Sequence, residues 1–207
     1  EILPVHKAHL ICSKVGGESL EILKKTISDL GYNFADILEK EKLEKYSSKY
    51  NVHNDDARIK EFKRIINYYG SLKFRIKILD NILTKLSINI KSAQFYLSPR
   101  EIKHIDSLGH EIGSHGLSHT LLSRLSKSNQ KKEIEISKNF LESIIKKEVK
   151  SFCYPYGTKD SYTNDTIKFL KSSNYHNAVS VEARDINNND LQNKYAIPRY
   201  DCKNFVF

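Results

Sequence analysis

Methionine and tryptophan are absent from the 207 residues, cysteine occurs three times, proline four times and glycine eight times. Cys12, Cys153 and Cys202 form an odd set with no C-x-x-C spacing, which argues against a disulfide framework and favours a reducing compartment. No apolar run approaches the roughly 20 residues that a membrane-spanning helix needs. Basic residues clustered with aromatics are also missing. The net charge of +9 comes from 34 Lys plus Arg against 25 Asp plus Glu, with the lysines dispersed through helical patterns such as 123–148. That dispersal reads as solvated helix faces and argues against nucleic acid as a partner; the surplus suits an anionic glycan instead. No leader sequence is visible. A cytoplasmic location is therefore the expectation, with export or the cell envelope left open because Glu1 is not a natural start.

What is present is an ordinary globular composition, 39% hydrophobic and 29% charged, in a length that one domain accommodates. Residues 5–12 form an apolar run ending near Gly16-Gly17 and read as a strand feeding a helix at 20–30, where Leu20, Leu23, Ile27 and Leu30 keep a 3.6 period. His6 and His9 then read as packing or edge residues of that strand. Residues 34–90 are Lys-rich with helical periodicity and read as a helical insertion in a single domain spanning 1–207. Within them, Asn54-Asp55-Asp56-Ala57 resembles an acidic metal motif but precedes an amphipathic run, so an N-cap from Asp55 or Asp56 is the better reading. Ser98-Pro99-Arg100-Glu101 has the form of a capping box with Pro at the first turn. Helix over 121–147, strand over 149–154, helix over 163–172, strand over 177–181 and a segment at 195–199 complete the chain. Strands alternating with helices predict a parallel α/β arrangement, whose core includes Phe95, Leu97, Ile112, Phe152 and Val179.

One stretch organises the rest. Residues 108–119 read Leu-Gly-His-Glu-Ile-Gly-Ser-His-Gly-Leu-Ser-His, placing His115 and His119 four residues apart. Two imidazoles at that spacing reach one cation, either across a helical turn or across a tight loop. Two surface histidines sharing a loop would give the same spacing. Gly109, Gly113 and Gly116 suit a constrained turn at the end of a strand, and Ser114 and Ser118, each preceding a histidine, are placed to orient the rings.

This stretch resembles the second motif of the polysaccharide deacetylases, the NodB-homology or carbohydrate esterase family four proteins. Val149-Lys150-Ser151-Phe152-Cys153-Tyr154-Pro155-Tyr156-Gly157 is similar to the third motif of the family, and Ala196-Ile197-Pro198-Arg199-Tyr200-Asp201 to its Leu-Pro-Arg segment. The resemblance implies a distorted (β/α)7-type barrel with its site at the C-terminal ends of the strands. It also implies a divalent metal ion such as zinc on His115 and His119, and an acetylated carbohydrate as substrate. Tyr156 then stands where the family uses a backbone N–H to bind the oxyanion, Pro155 and Tyr156 line the substrate groove, and Arg199 takes a catalytic or orienting place.

Hydrolysis of an acetyl amide or ester on such a site needs a metal-polarised carbonyl, an activated water and a carboxylate base. The resemblance assigns the base and third ligand to an Asp pair in a Thr-Phe-Asp-Asp-Gly motif, which this sequence does not contain. The expected place for it is upstream of Glu1. A degenerate member or a substituting carboxylate are the alternatives, and with them a non-catalytic, metal-stabilised glycan-binding homologue.

Overall fold

The structure is a computed structural model that describes residues 1–51, 53–201 and 205. Cys202 lies outside the described residues. Pro4 presets the first turn of helix α1 (Pro4–Val15), so the expected strand at 5–12 is helix. Val5, Lys7, Ala8 and Ile11 are its buried positions, a helical face rather than an alternating one. A short apolar run does not by itself distinguish a strand from a buried helix, and here Pro4 and the neighbouring helices decide it.

Residues 1–95 form one compact unit and residues 96–207 another. The first unit contains α1, α2 (Ser19–Asp29), α3 (Phe34–Ile37), α4 (Lys40–Lys45), α5 (Ala57–Arg64) and α6 (Leu72–Lys85). Its helical character thus extends over the predicted insertion and the segment before it. The expected N-cap at 54–57 is present: the Asp56 side chain accepts the Arg58 N–H at 2.8 Å. A π-helical turn at Ile65–Tyr69 continues α5 and ends at Gly70, whose N–H donates to the Ile65 carbonyl at 2.7 Å. A Cβ on Gly70 would lie 2.7 Å from that same oxygen, so glycine is required there by space. Ile11, Leu23, Ile27, Phe62, Leu79 and Ile82 form the fully buried centre of this unit.

The second unit begins with α7 (Pro99–Ser107), whose Ser98/Glu101 capping box is formed in both directions. It continues through α8 (Lys127–Ile145), β1 (Ser151–Cys153), α9 (Asn164–Ser172), β2 (Asn177–Val179) and α10 (Asn188–Gln192). The two strands pair in parallel with Ser151 opposite Asn177. Ser114 bridges to Phe152 and Ile197 to Val179, both in parallel. Four chain segments therefore lie side by side in sequence order, with α8, α9 and α10 as the crossovers. The fold is a helix-rich α/β arrangement. Among the described residues the parallel sheet holds two three-residue strands, not the seven of the expected barrel.

Phe152, Tyr154, Leu170, Tyr175 and Ala178 are buried with Leu122, Ile134 and Val149 in one cluster, against which Ile112 packs. Two expected core residues differ: Phe95 is 40% exposed and Leu97 56%. They lie just after a 3-10 turn, in an irregular stretch and not in a strand, so no sheet carries them inward. In β2 the phase places Ala178 inside and leaves Val179 half-buried.

Candidate functional site

The C-terminal ends of the four parallel segments carry the polar residues that the sequence singles out. Chains leaving a parallel sheet at that edge are free of ladder pairing and can aim side chains, which is why α/β proteins place sites there. Ser114 is held in the sheet by its N–H to the Ser151 carbonyl at 2.9 Å, while its own carbonyl accepts the Cys153 N–H at 2.8 Å. His115 follows directly. Its Nδ1 lies 2.7 Å from the Cys153 carbonyl oxygen. A carbonyl only accepts, so Nδ1 carries the proton and the Nε2 lone pair remains for a ligand or ion, the tautomer that a metal-ligating histidine needs.

His119 comes off the same loop, its ring centroid 4.9 Å from that of His115 at an interplanar angle of 75°. The other face of the site is the Tyr156 ring, 5.0 Å from His119. His119 and Tyr156 both have left-handed backbones, with φ of 52° and 64°. Such conformations in non-glycine residues are sparsely populated and cluster where a site is over-determined by its surroundings. Gly157 also has positive φ, 64°, and a Cβ there would meet Val181 Cγ1 at 2.8 Å, so the turn after β1 admits only glycine. Pro155 is buried beneath the turn.

Arg199 leaves the fourth segment and donates from Nε to the Ser180 carbonyl at 3.0 Å. Its charge is felt at both His115 and Cys153. His115 opens to solvent on one side, yet the protein around it desolvates the ring. Desolvation lowers its pKa, the Arg199 charge adds to that, and the Cys153 hydrogen bond opposes both. The imidazole is thereby favoured in its neutral, ligating form. Burial pushes the Cys153 thiol up, with Arg199 working the other way, so it is not a thiolate nucleophile.

The structure thus brings His115, His119, Pro155, Tyr156 and Arg199 to one edge. Among the described residues no third His, Cys, Asp or Glu completes a metal-holding group with the two histidines. A participant that sequence reading misses is Glu133 on α8, which accepts hydrogen bonds from the loop between the histidines. A signal for it exists in the pattern of the helix. Gln130, Glu133, Ser137 and Lys138 share the buried stripe of α8 with Ile134, and buried polar groups need partners.

Solved structures similar to the chain include a Streptococcus pyogenes deacetylase in complex with acetate. It is 17% identical with a TM-score of 0.47, over 89% of this chain and 80% of that one. A polysaccharide deacetylase from Bacillus cereus is 21% identical with a TM-score of 0.45, over 61% of this chain and 43% of that one. The chain therefore spans less than half of the second protein. No curated protein matches the sequence. The profile of the polysaccharide deacetylase family matches residues 42–178, which include the whole histidine loop, β1 and the Tyr-Pro-Tyr-Gly turn. The chain belongs to the polysaccharide deacetylase family.

Proposed function

We propose that this chain carries the metal-binding and oxyanion-binding part of a hydrolase that removes acetyl groups from an N- or O-acetylated glycan. The observation that supports this best is the paired His115 and His119 rings, 4.9 Å apart at the C-terminal edge of the sheet. The donor set fits a borderline-soft divalent ion such as zinc, since His115 is held neutral with Nδ1 capped by a carbonyl. When bound, such an ion polarises the acetyl carbonyl and lowers the pKa of a coordinated water.

His115 and His119 hold the ion through ring nitrogens. Tyr156 presents its backbone N–H to the carbonyl oxygen as charge develops there, from a turn that Gly157 and Pro155 make rigid. The Tyr156 ring lines the groove for the sugar, and the buried Pro155 backs it. Arg199, anchored on Ser180, places a positive charge near His115 that favours an anionic intermediate and adds to the desolvation that keeps the imidazole unprotonated. The four parallel segments are then one wall of the (β/α) barrel that the family resemblance implies. The base and third ligand are not among these residues. This leaves a specific rival, a glycan-binding homologue without catalysis.

Acetate released from acetylated oligosaccharides, measured with chelator and after zinc is restored, separates the two. Where the base and third ligand are supplied, we expect release that chelation abolishes, that zinc restores, and that His115→Ala or His119→Ala removes with the fold intact. Activity indifferent to chelation rules the mechanism out. Glycan binding without acetate release selects the rival.

A further inference from the structure

The segment between the two histidines is not held by its own sheet or helix. It is held chiefly by Glu133, while the Gly116 N–H donates to the Ser114 hydroxyl at 3.4 Å and the Ser118 hydroxyl also lies 2.9 Å from that of Thr120. One carboxylate oxygen, Oε2, accepts the Leu117 N–H at 2.8 Å and the Ser118 N–H at 2.9 Å, while Oε1 accepts the Ser118 hydroxyl at 2.6 Å. Glu133 is only 9% exposed, and α8 fixes it from below, where Ser137, one turn on, bonds the Ser114 hydroxyl at 2.8 Å. Two consecutive N–H groups converging on one oxygen form a concave backbone nest, here filled by a side chain of the protein. Gly116 closes that nest with φ of 77°, and a Cβ there would come 3.3 Å from Glu133 Oε2. His119 leaves it with φ of 52°.

We infer that Glu133 is the positioning residue of the histidine pair: by clamping the 117–118 backbone it imposes the left-handed turn that swings the His119 ring toward His115. This rests on the proposed metal site at that pair. A left-handed histidine persists only where its neighbours over-determine it. The backbone bonds that would do so end on one charge-assisted acceptor outside the loop, which makes them about twice as strong as neutral ones. Glu133 does not itself join a metal-holding group with the histidines among the described residues, so its effect passes through the loop.

The full chain is titrated with zinc by calorimetry, and hydrogen exchange is followed on the peptide carrying the Leu117 and Ser118 amides. Glu133→Ala should weaken zinc binding ~10- to 100-fold, the range seen when a supporting partner of a ligand is lost, and should abolish protection of both amides. Glu133→Gln keeps an acceptor oxygen for the amides and should retain binding within about threefold and most of the protection; a merely structural role of α8 would not separate these two variants. Wild-type zinc binding kept by Glu133→Ala despite lost amide protection overturns the inference and leaves the metal site standing. A wild-type chain that takes up no zinc overturns the metal site, and the inference with it. Should Glu133→Ala not fold, Ser118→Ala removes one of the three donors and must still weaken zinc binding about two- to threefold; an unchanged constant overturns the inference.

Discussion

The helical unit and the α/β unit both bury polar groups of side chains, but they satisfy them differently. In residues 1–95, partners are other side chains: Lys7 with Asp80 at 2.5 Å, Lys63 with Asp55 at 2.6 Å, Arg75 with Asn67 at 2.6 Å. Each bond ties a helical residue to a side chain elsewhere in the unit. In residues 96–207, partners are largely main-chain groups. Glu133 takes two loop N–H groups, Lys138 reaches the Val149 carbonyl at 2.5 Å, Glu142 takes the Val149 N–H at 2.9 Å, and Tyr154 and Tyr195 donate to the Tyr195 and Tyr175 carbonyls at 2.8 and 2.6 Å. A side chain bonded to another side chain fixes where a helix sits. One bonded to backbone fixes the conformation of the chain, and that is what a site built on loops requires.

The contrast can be broken first at the cores, where it should vanish. Phe152→Ala in the α/β unit and Leu79→Ala in the helical unit each remove a side chain that is at most 1% exposed. Both should cost about 2–5 kcal/mol in urea unfolding, through lost burial and the cavity left behind. A cost below about 1 kcal/mol at either position would show that its unit is not packed as described.

Glycines sharpen the comparison. Gly70→Ala drives a methyl onto the Ile65 carbonyl and should cost about 1–3 kcal/mol of stability with no effect on zinc binding. Gly157→Ala, blocked by Val181 and by its positive φ, should cost about the same and also reduce acetate release, because it displaces the Tyr156 N–H. Equal activity in the two variants would remove the functional distinction.

Caps test whether local rules hold equally in both units. Asp56→Ala on α5 and Thr163→Ala on α9 each delete a side-chain acceptor for a first-turn N–H and should cost about 1 kcal/mol in thermal unfolding.

The smallest effect is a pH dependence read at one ion pair of the α/β unit. Arg184 grips Asp190 through two 2.7 Å bonds, and this pairing, helped by the Asn187 N–H, lowers the Asp190 pKa to about 2. An unfolded aspartate titrates near pH ~3.9. The folded state therefore binds the proton less readily, so the contribution is complete above about pH 4 and is lost as pH falls through about 2. Asp190→Asn should flatten the urea midpoint over that window; an unchanged slope would show that the ion pair does not set it.

Much of the α/β unit is legible in the sequence because its signals are local. The Ser98 capping box, the helical runs of α8 and α9 and the strand at 151–153 follow from neighbours within a few residues. The loop motif likewise places His115 and His119 four residues apart in one loop. The first helix is not legible in this way, because residues 5–12 carry an apolar run that suits either a strand or a buried helix. Phe95 and Leu97 mislead because apolar character does not say whether a sheet exists to receive it.

The sequence by itself determined the family, through three short motifs in the right order, and the identity of the two candidate ligands. Periodicity and caps are intrinsic to a segment, so they survive being read without a fold. Tertiary structure alone decided the tautomer of His115, the left-handed turn at His119 and the place of Arg199 near the histidine loop. Each depends on a partner distant in the chain: the Cys153 carbonyl, the Glu133 carboxylate and the Ser180 carbonyl. A helix that buries glutamate on its inward stripe announces that something polar must meet it. Only the packed chain shows that what meets it is the backbone between two histidines.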